Sequence, residues 1–208
     1  MLDRRVLSLA APWLERLAAA LARRRVAADA LTLFGFALGL GAAAAIALGR
    51  PLLGLALIGL NRLADGLDGA LARHSRSTDR GAFLDITLDF MFYASVPLAF
   101  ALADPASNAL PAAVLLFSFI GTSSSFLAFA VLAERRGLHN QAYPTKGMYY
   151  LGGLTEATET IICFAAMCLW PAWFAALAYG FAVLCGLTWL TRLHAAWAML
   201  GQTKTRSV

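Results

Sequence analysis

The sequence predicts an all-α integral membrane protein, with six transmembrane helices preceded by an N-terminal interfacial amphipathic helix. Three observations predict it. Of the 208 residues, 60% are hydrophobic and 14% charged, and mean hydropathy is +0.68. A water-soluble domain carries about a quarter charged residues, so this chain has too little polar surface to cover a globule. Six apolar stretches each reach the roughly 20 residues that a 30 Å hydrocarbon core demands, and in lipid such segments satisfy their backbone polar groups internally only as helices. Lys and Arg, finally, concentrate in alternate connections. Together these features exclude a disordered chain, a secreted disulfide scaffold and a soluble nucleic-acid binder. The length fits one domain, divided as an interfacial helix (1–25), a membrane domain (26–200) and a cytoplasmic tail (201–208).

In the first segment Leu2, Val6, Leu9, Trp13, Leu17 and Leu21 recur every three or four positions, with Arg4, Arg5, Ser8, Glu15 and Arg16 between them. That pattern predicts a helix lying in the headgroup plane, with Arg23-Arg24-Arg25 as its basic end. Glu15 and Arg16 interrupt any secretory signal. The first span, Ala30–Gly49, is uncharged. The second runs from about Pro51 to Arg73 and is apolar until Arg62, Asp65 and Asp68. The third, about Ala82–Ala103, carries Asp85 and Asp89, and the fourth, Pro105–Ala133, has no charge. The fifth, about Gly147–Trp170, contains Glu156 and Glu159, and the sixth runs from about Ala172 to Leu193. Six basic residues lie in the N-terminal arm. Arg73, Arg76 and Arg80 mark the second connection, Arg135, Arg136 and Lys146 the fourth, and Arg192, Lys204 and Arg206 the C-terminal end. The alternate connections hold only Arg50. The positive-inside rule then puts both termini and connections two and four in the cytoplasm. Cys163, Cys168 and Cys185 sit in apolar stretches without a C-x-x-C spacing and read as small buried hydrophobes.

Six of the 12 acidic residues lie inside expected spans: Asp65, Asp68, Asp85, Asp89, Glu156 and Glu159. A charge near the bilayer centre costs about 2.5–3.5 kcal/mol on insertion scales and needs a wet cavity, a counter-ion or a metal. Pairing with Arg62 or Arg73 could satisfy one or two carboxylates, not four. Asp65 and Asp68 are i,i+3, and Asp85 and Asp89 are i,i+4, so each pair shares a helical face. A short polar connection makes the second and third spans antiparallel neighbours, which brings four carboxylates into one cavity open to the cytoplasm. Four like charges at close range stay ionised only with cations. Oxygen-only ligands select Mg²⁺ or Mn²⁺, and Mg²⁺ usually serves phosphate-bearing substrates. Gly69, Ala72 and Gly81 leave room for a ligand, Arg73 offers a planar fork to phosphate oxygens, and Thr78 offers a hydroxyl.

Asp65-Gly66-Leu67-Asp68-Gly69-Ala70-Leu71-Ala72-Arg73, followed by Gly81-Ala82-Phe83-Leu84-Asp85-Ile86-Thr87-Leu88-Asp89, resembles the signature of the CDP-alcohol phosphotransferase family: D-x-x-D-G-x-x-A-R, a spacer, then G-x-x-x-D-x-x-x-D. All eight signature residues are present within 25 positions. The spacer is one residue shorter than is usual in the family. Many members carry Pro-Asn-x-Leu-Thr at the first span, where this chain has Ala28-Asp29-Ala30-Leu31-Thr32. Asp29 there fits a helix cap.

The resemblance implies transfer of a substituted phosphate from a CDP-linked donor to an alcohol, with release of CMP. By that resemblance Asp65, Asp68 and Asp85 ligate a Mg²⁺ or Mn²⁺, and Asp89 is the catalytic base and touches a second metal. Thr32, Asp65, Gly69, Ala72, Arg73, Thr78 and Gly81 contact the donor. Its usual donor is CDP-diacylglycerol, with acyl chains in the bilayer of a bacterial inner membrane and the active site at the cytoplasmic face. Acceptors in the family include glycerol 3-phosphate, inositol or its phosphate, serine, choline and ethanolamine, with glycerol 3-phosphate the most frequent. Arg62, Arg135 and Lys146 are candidates for an anionic acceptor. Glu156 and Glu159 are candidates for a cationic one, or for pairing with Arg62 or another base. Family members commonly form homodimers, and Gly121, Ser123, Ser124, Ser125 and Ala128 permit close helix approach. Two rivals remain. A UbiA-like prenyltransferase fits Asn61-x-x-x-Asp65, although the next acid, Asp68, comes three residues on rather than four. A divalent-cation transporter would use the four aspartates as a permeation site, but such sites lie near the midplane between repeats, and no repeat is visible.

Overall fold

The computed structural model describes residues 2–74, 78–136 and 153–201. Every regular element in them is helical: α1 (Leu2–Arg23), α2 (Ala28–Ala47), α3 (Pro51–His74), α4 (Asp79–Ala103), α5 (Pro105–Arg135), α6 (Ala157–Leu169) and α7 (Phe174–Gly201), with one 3-10 turn at Pro171–Trp173 leading into α7. Four stretches among the described residues are long and apolar enough to cross a membrane: Ala28–Ala47, Asp79–Ala103, Pro105–Arg135 and Pro171–Gly201. Helix α3 is as long, at 24 residues, but carries Arg62, Asp65, Asp68 and Arg73. Helix α6 has 13 residues, or about 20 Å at 1.5 Å per residue. Of the expected fifth span, residues 147–152 lie outside the described residues, and 153–156 precede the helix without being helical.

The helix ends follow local chemistry. Thr78 caps α4 by accepting from Gly81 N at 3.1 Å, and Asp104 caps α5 by accepting from Ser107 N at 3.2 Å, with Pro105 in the first turn. Glu156 and Glu159 form a reciprocal capping box at the start of α6. They therefore terminate this helix rather than lie within its run, because each carboxylate satisfies a backbone N–H that the helix itself cannot.

Helix α2 packs against both α3 and α4, α4 against α5, α5 against α7, and α3 against α1 and α6. Helix α2 is the shared neighbour of the second and third spans, and these two also meet directly through side chains, Arg62 of α3 reaching Asp89 of α4 at 2.8 Å. Close approach of α2 depends on glycine. A Cβ on Gly39 would lie 2.6 Å from Phe92 Cδ2 and 3.3 Å from Asn61 Nδ2, distances that real side chains avoid. The main core gathers Ile46, Ile58, Phe92, Val96, Phe100, Phe164, Met167, Phe174, Phe181 and Cys185. Phe100 stacks on Phe174 at 4.6 Å, and Phe92 meets Phe164 edge-on at 6.5 Å. A smaller cluster, Leu14, Ala18, Ala70 and Leu71, fastens α1 to the end of α3.

Candidate active site

Because α2 lies against both α3 and α4, those helices face each other across a small, partly open cavity. It is lined by Thr32, Gly35 and Phe36 of α2, Asn61, Arg62, Asp65 and Asp68 of α3, and Asp85, Leu88, Asp89 and Phe92 of α4. The helical spacing acts as the sequence implies: residues three and four apart share a face, and all four aspartates line the cavity. Carboxylate oxygens of Asp65, Asp68 and Asp85 lie within 4.8 Å of one another. Asp68 is buried, and its Oδ2 has no hydrogen-bond partner. An orphaned buried carboxylate oxygen costs more than an ordinary lost hydrogen bond. Oxygens at this spacing, one of them without a donor, match the ligand set of a hard divalent cation. Asp65, Asp68 and Asp85 therefore fit a Mg²⁺ or Mn²⁺ ion.

Asp89 is placed differently. Its Oδ1 accepts from Arg62 Nη1 at 2.8 Å, while the same nitrogen is 3.6 Å from Asp65 Oδ2. Arg62 also donates from Nε to Asn61 Oδ1 at 2.8 Å and from Nη1 to the Tyr93 hydroxyl at 3.3 Å. Its guanidinium lies 4.5 Å from the centre of the Phe92 ring. Asn61 in turn donates to Gly35 O at 2.8 Å. This amide, weighed as the start of a prenyltransferase motif, thus links α3 to the backbone of α2. Sequence reasoning missed the link; its signal is a single amide in the apolar first half of α3.

The remaining expected residues surround this centre. Thr32 lines the cavity and donates to Ala28 O at 3.1 Å. Gly69 is exposed beside Asp68, and a Cβ there would meet only Arg73 Nη1, at 3.9 Å. Ala72 and Arg73 lie one turn further along α3, outside the cavity lining. Arg73 donates to Glu15 Oε1 of α1 from Nη2 at 2.8 Å and Nε at 3.1 Å, and His74 Nε2 is 2.8 Å from Glu15 Oε2. The Arg73 hydrogen bond holds the Glu15 carboxyl below its ordinary range, with a further lowering from His74. Thr78 is the α4 cap, and Gly81 stands between it and Asp29: a Cβ on Gly81 would lie 3.1 Å from Asp29 Oδ1. Asp29 does not cap α2, whose N-cap is Ala27. It accepts instead from Arg80, at 2.6 Å from Nη2 and 2.9 Å from Nε, tying the start of α2 to the start of α4.

Of the acceptor candidates, the described residues bring only Arg62 into the cavity. Arg135 ends α5, and Glu156 and Glu159 are spent at the start of α6. Arg62, considered as their partner, is committed to Asp89. Lys146 lies outside the described residues, as do Arg76 and residues 202–208 of the expected tail. Gly121, expected to favour pairing of chains, is used within this one: a Cβ there would lie 2.9 Å from Trp189 Cδ1 of α7.

The family model for CDP-alcohol phosphatidyltransferase matches residues 25–197. The chain is 52% identical over 200 residues to the inner membrane protein YnjF of Escherichia coli (strain K12), covering 96% of this chain and 97% of that one. It is 36% identical over 161 residues to a protein of Aquifex aeolicus (strain VF5), covering 76% of each. Its fold matches crystal structures of Mycobacterium tuberculosis phosphatidylinositol phosphate synthase. The form with CDP-DAG bound gives a TM-score of 0.71 at 22% identity, covering 88% of this chain and 93% of that one. The complex with manganese and citrate gives 0.70 at 24% identity, covering 88% of each.

Proposed function

Since the chain belongs to the CDP-alcohol phosphatidyltransferase family, and is a phosphatidyltransferase enzyme, we propose that it moves the phosphatidyl group of CDP-diacylglycerol to the hydroxyl of a small polar alcohol, glycerol 3-phosphate first among them, and releases CMP. The observation that carries this reading is the trio of carboxylates, Asp65, Asp68 and Asp85, within 4.8 Å of one another around a buried oxygen without a donor. Those three residues hold the Mg²⁺ or Mn²⁺, which when bound neutralises diphosphate charge and keeps attacking and leaving oxygens in line. The solved neighbour with CDP-DAG and the one with manganese support the choice of donor and metal.

The chain's own residues do the rest. The exposed face at Gly69 admits the diphosphate beside Asp68, and Arg73, at the rim, offers its fork to phosphate oxygens on leaving Glu15. Thr32, Thr78 and Gly81, at the starts of α2 and α4, border the nucleotide. Asp89 takes the acceptor's hydroxyl proton. The acceptor oxygen bonds to the phosphatidyl phosphorus, and the bond from that phosphorus to the CMP oxygen breaks. Phosphoryl-type transfer asks mainly for this positioning and charge stabilisation.

The alternation of Lys and Arg supports six crossings, with both termini and the site at the cytoplasmic face of an inner membrane. Helix α1, with Glu15 and Trp13 on its length, lies along that surface. The non-helical turn before α6 is covered by α7, as polar backbone at bilayer depth requires: Thr155 N donates to Thr188 Oγ1 at 3.1 Å.

The test is CMP release from CDP-diacylglycerol by the purified protein in detergent, with Mg²⁺ or Mn²⁺, across the acceptor alcohols. Metal-dependent CMP with a lipid product is expected, strongest with glycerol 3-phosphate. A different best alcohol corrects the acceptor only; no CMP with any of them overturns the reaction and leaves cation transport ahead.

A further inference from the structure

We infer that the outward face of α1, Trp13 with Arg16, Arg23, Arg24 and Arg25, docks on the headgroups of anionic phospholipids. This docking presupposes α1 along the membrane surface, as proposed above, and is independent of the transfer reaction.

The inward face of α1 is already used. Leu14 and Ala18 pack on Ala70 and Leu71 of α3, and Glu15 between them accepts from Arg73 and lies 2.8 Å from His74 Nε2. Trp13, Arg16, Arg23 and Arg24 are exposed. Steps of three, seven and eight residues put them along one side of the helix, with Leu17, four residues beyond Trp13, part-exposed beside them. The nearby carboxylates do not answer this charge. Glu15 faces α3, and Asp29 accepts two hydrogen bonds from Arg80.

The end of α1 is a second, independent sign. Arg25 N donates to Ala22 O at 2.9 Å and Val26 N to Leu21 O at 3.2 Å, the paired bonds of a Schellman ending, which puts the residue just past the helix in the left-handed region. That residue is Arg25, with φ at 57°. Glycine takes this conformation without the clash that a Cβ brings. The chain bears the strain at an arginine whose side chain is exposed, so the guanidinium is not kept there for packing. It completes a run of three cations just before the chain turns into the membrane. Helix α2 starts at Ala28, and Leu33 and Phe34 on its first two turns are 51% and 58% exposed, as lipid-facing side chains are. An indole and an apolar flank beside guanidiniums are the composition of an interfacial helix, and basic clusters on such helices take anionic headgroups. The apolar surface that continues from the cluster onto α2 makes the occupant a bilayer rather than a protein.

The experiment is quenching of Trp13 emission in the full-length chain, reconstituted into phosphatidylcholine bilayers with a minor share of either brominated phosphatidylglycerol or brominated phosphatidylcholine. The share of Trp13 is the difference between the parent and Trp13→Phe. Brominated phosphatidylglycerol should quench it as though enriched about fivefold around α1, the worth of one guanidinium near a charged surface, and high salt should remove most of that excess. Arg23→Gln, Arg24→Gln and Arg25→Gln together should bring the two quenchers close to level. Arg25→Gly alone should reduce the preference while melting no lower than the parent, which separates lost binding from a damaged fold. Equal quenching by the two lipids in the parent overturns the inference and leaves the basic face to an acidic protein. A preference undiminished in the triple variant overturns it as well, because the anionic lipid then sits elsewhere. Quenching by neither lipid removes α1 from the membrane surface altogether, and the docking with it.

Discussion

Two groups of buried polar side chains occupy the same bundle and resolve their burial in opposite ways. Between α5, α6 and α7, hydroxyls close on backbone: Ser118 donates to Leu115 O at 2.7 Å, Thr122 to Phe119 O at 3.0 Å and Thr188 to Leu184 O at 2.9 Å. Thr188 also accepts from Thr155 N and Thr155 Oγ1, and Arg192 donates to Thr122 O at 3.1 Å. Between α2, α3 and α4 the groups are carboxylates facing carboxylates, and Asp68 Oδ2 is left buried without a donor. In a medium without water an unsatisfied polar group is expensive. The hydroxyls of the first group are satisfied by the fold itself and serve packing. The second stays open, so its satisfaction comes from outside the chain, and that distinguishes a site from a scaffold better than polarity does.

The largest test of this contrast is Asp68→Asn. Turnover should fall roughly 1000-fold, equivalent to about 4 kcal/mol of transition-state stabilisation, and Mn²⁺ should no longer raise the melting temperature. Measured without metal, the same variant should melt at or above the parent, because a buried like charge has been removed. A metal-free variant markedly less stable than the parent would mean that Asp68 is structural.

Thr188→Val sharpens the contrast from the other side. The change keeps the shape but leaves Thr155 N and the Thr155 hydroxyl without an acceptor, at a cost of about 1–2 kcal/mol in unfolding free energy. Chemical denaturation in mixed micelles should show that loss, with the Kd for Mn²⁺ unchanged. A variant as stable as the parent would show that the α6–α7 contact is not the closed network described.

What the sequence disclosed divides along physical lines. The long apolar runs and the i,i+3 and i,i+4 carboxylates are local patterns, and local patterns survive folding: α2, α4 and α5 begin and end within three residues of expectation, and the four aspartates share one cavity. Helix neighbours are another matter. That α2 packs on both α3 and α4 depends on the approach permitted at Gly39, and the sequence offers no sign to separate that glycine from the others in an Ala- and Gly-rich run. Glu156 and Glu159 read as charges inside a span because their apolar surroundings hide a helix start, and the Thr or Ser expected at such a cap is absent. Ion pairs such as Arg73 with Glu15, 58 residues apart, leave no periodic trace at all.

That last pair supplies the smallest effect, outside both buried groups. Helix α1 holds to α3 through Leu14 and Ala18 against Ala70 and Leu71, with Glu15 bridging Arg73 and His74 at a half-exposed surface. The Arg73 hydrogen bond lowers the Glu15 pKa relative to the undocked helix. A lowered pKa makes docking favourable above the ordinary carboxylate value, and the contribution is lost as pH falls through the lowered one. Emission from Trp13, which is 54% exposed on α1, should therefore hold steady from neutrality down to about pH 5 and shift below it. Glu15→Gln should flatten that acid response, and high salt should weaken it, as screening demands of an exposed pair. Transfer activity at neutral pH separates two roles for Arg73: a guanidinium released by Glu15→Gln that binds donor more tightly lowers KM, whereas a purely structural Arg73 leaves KM where it was.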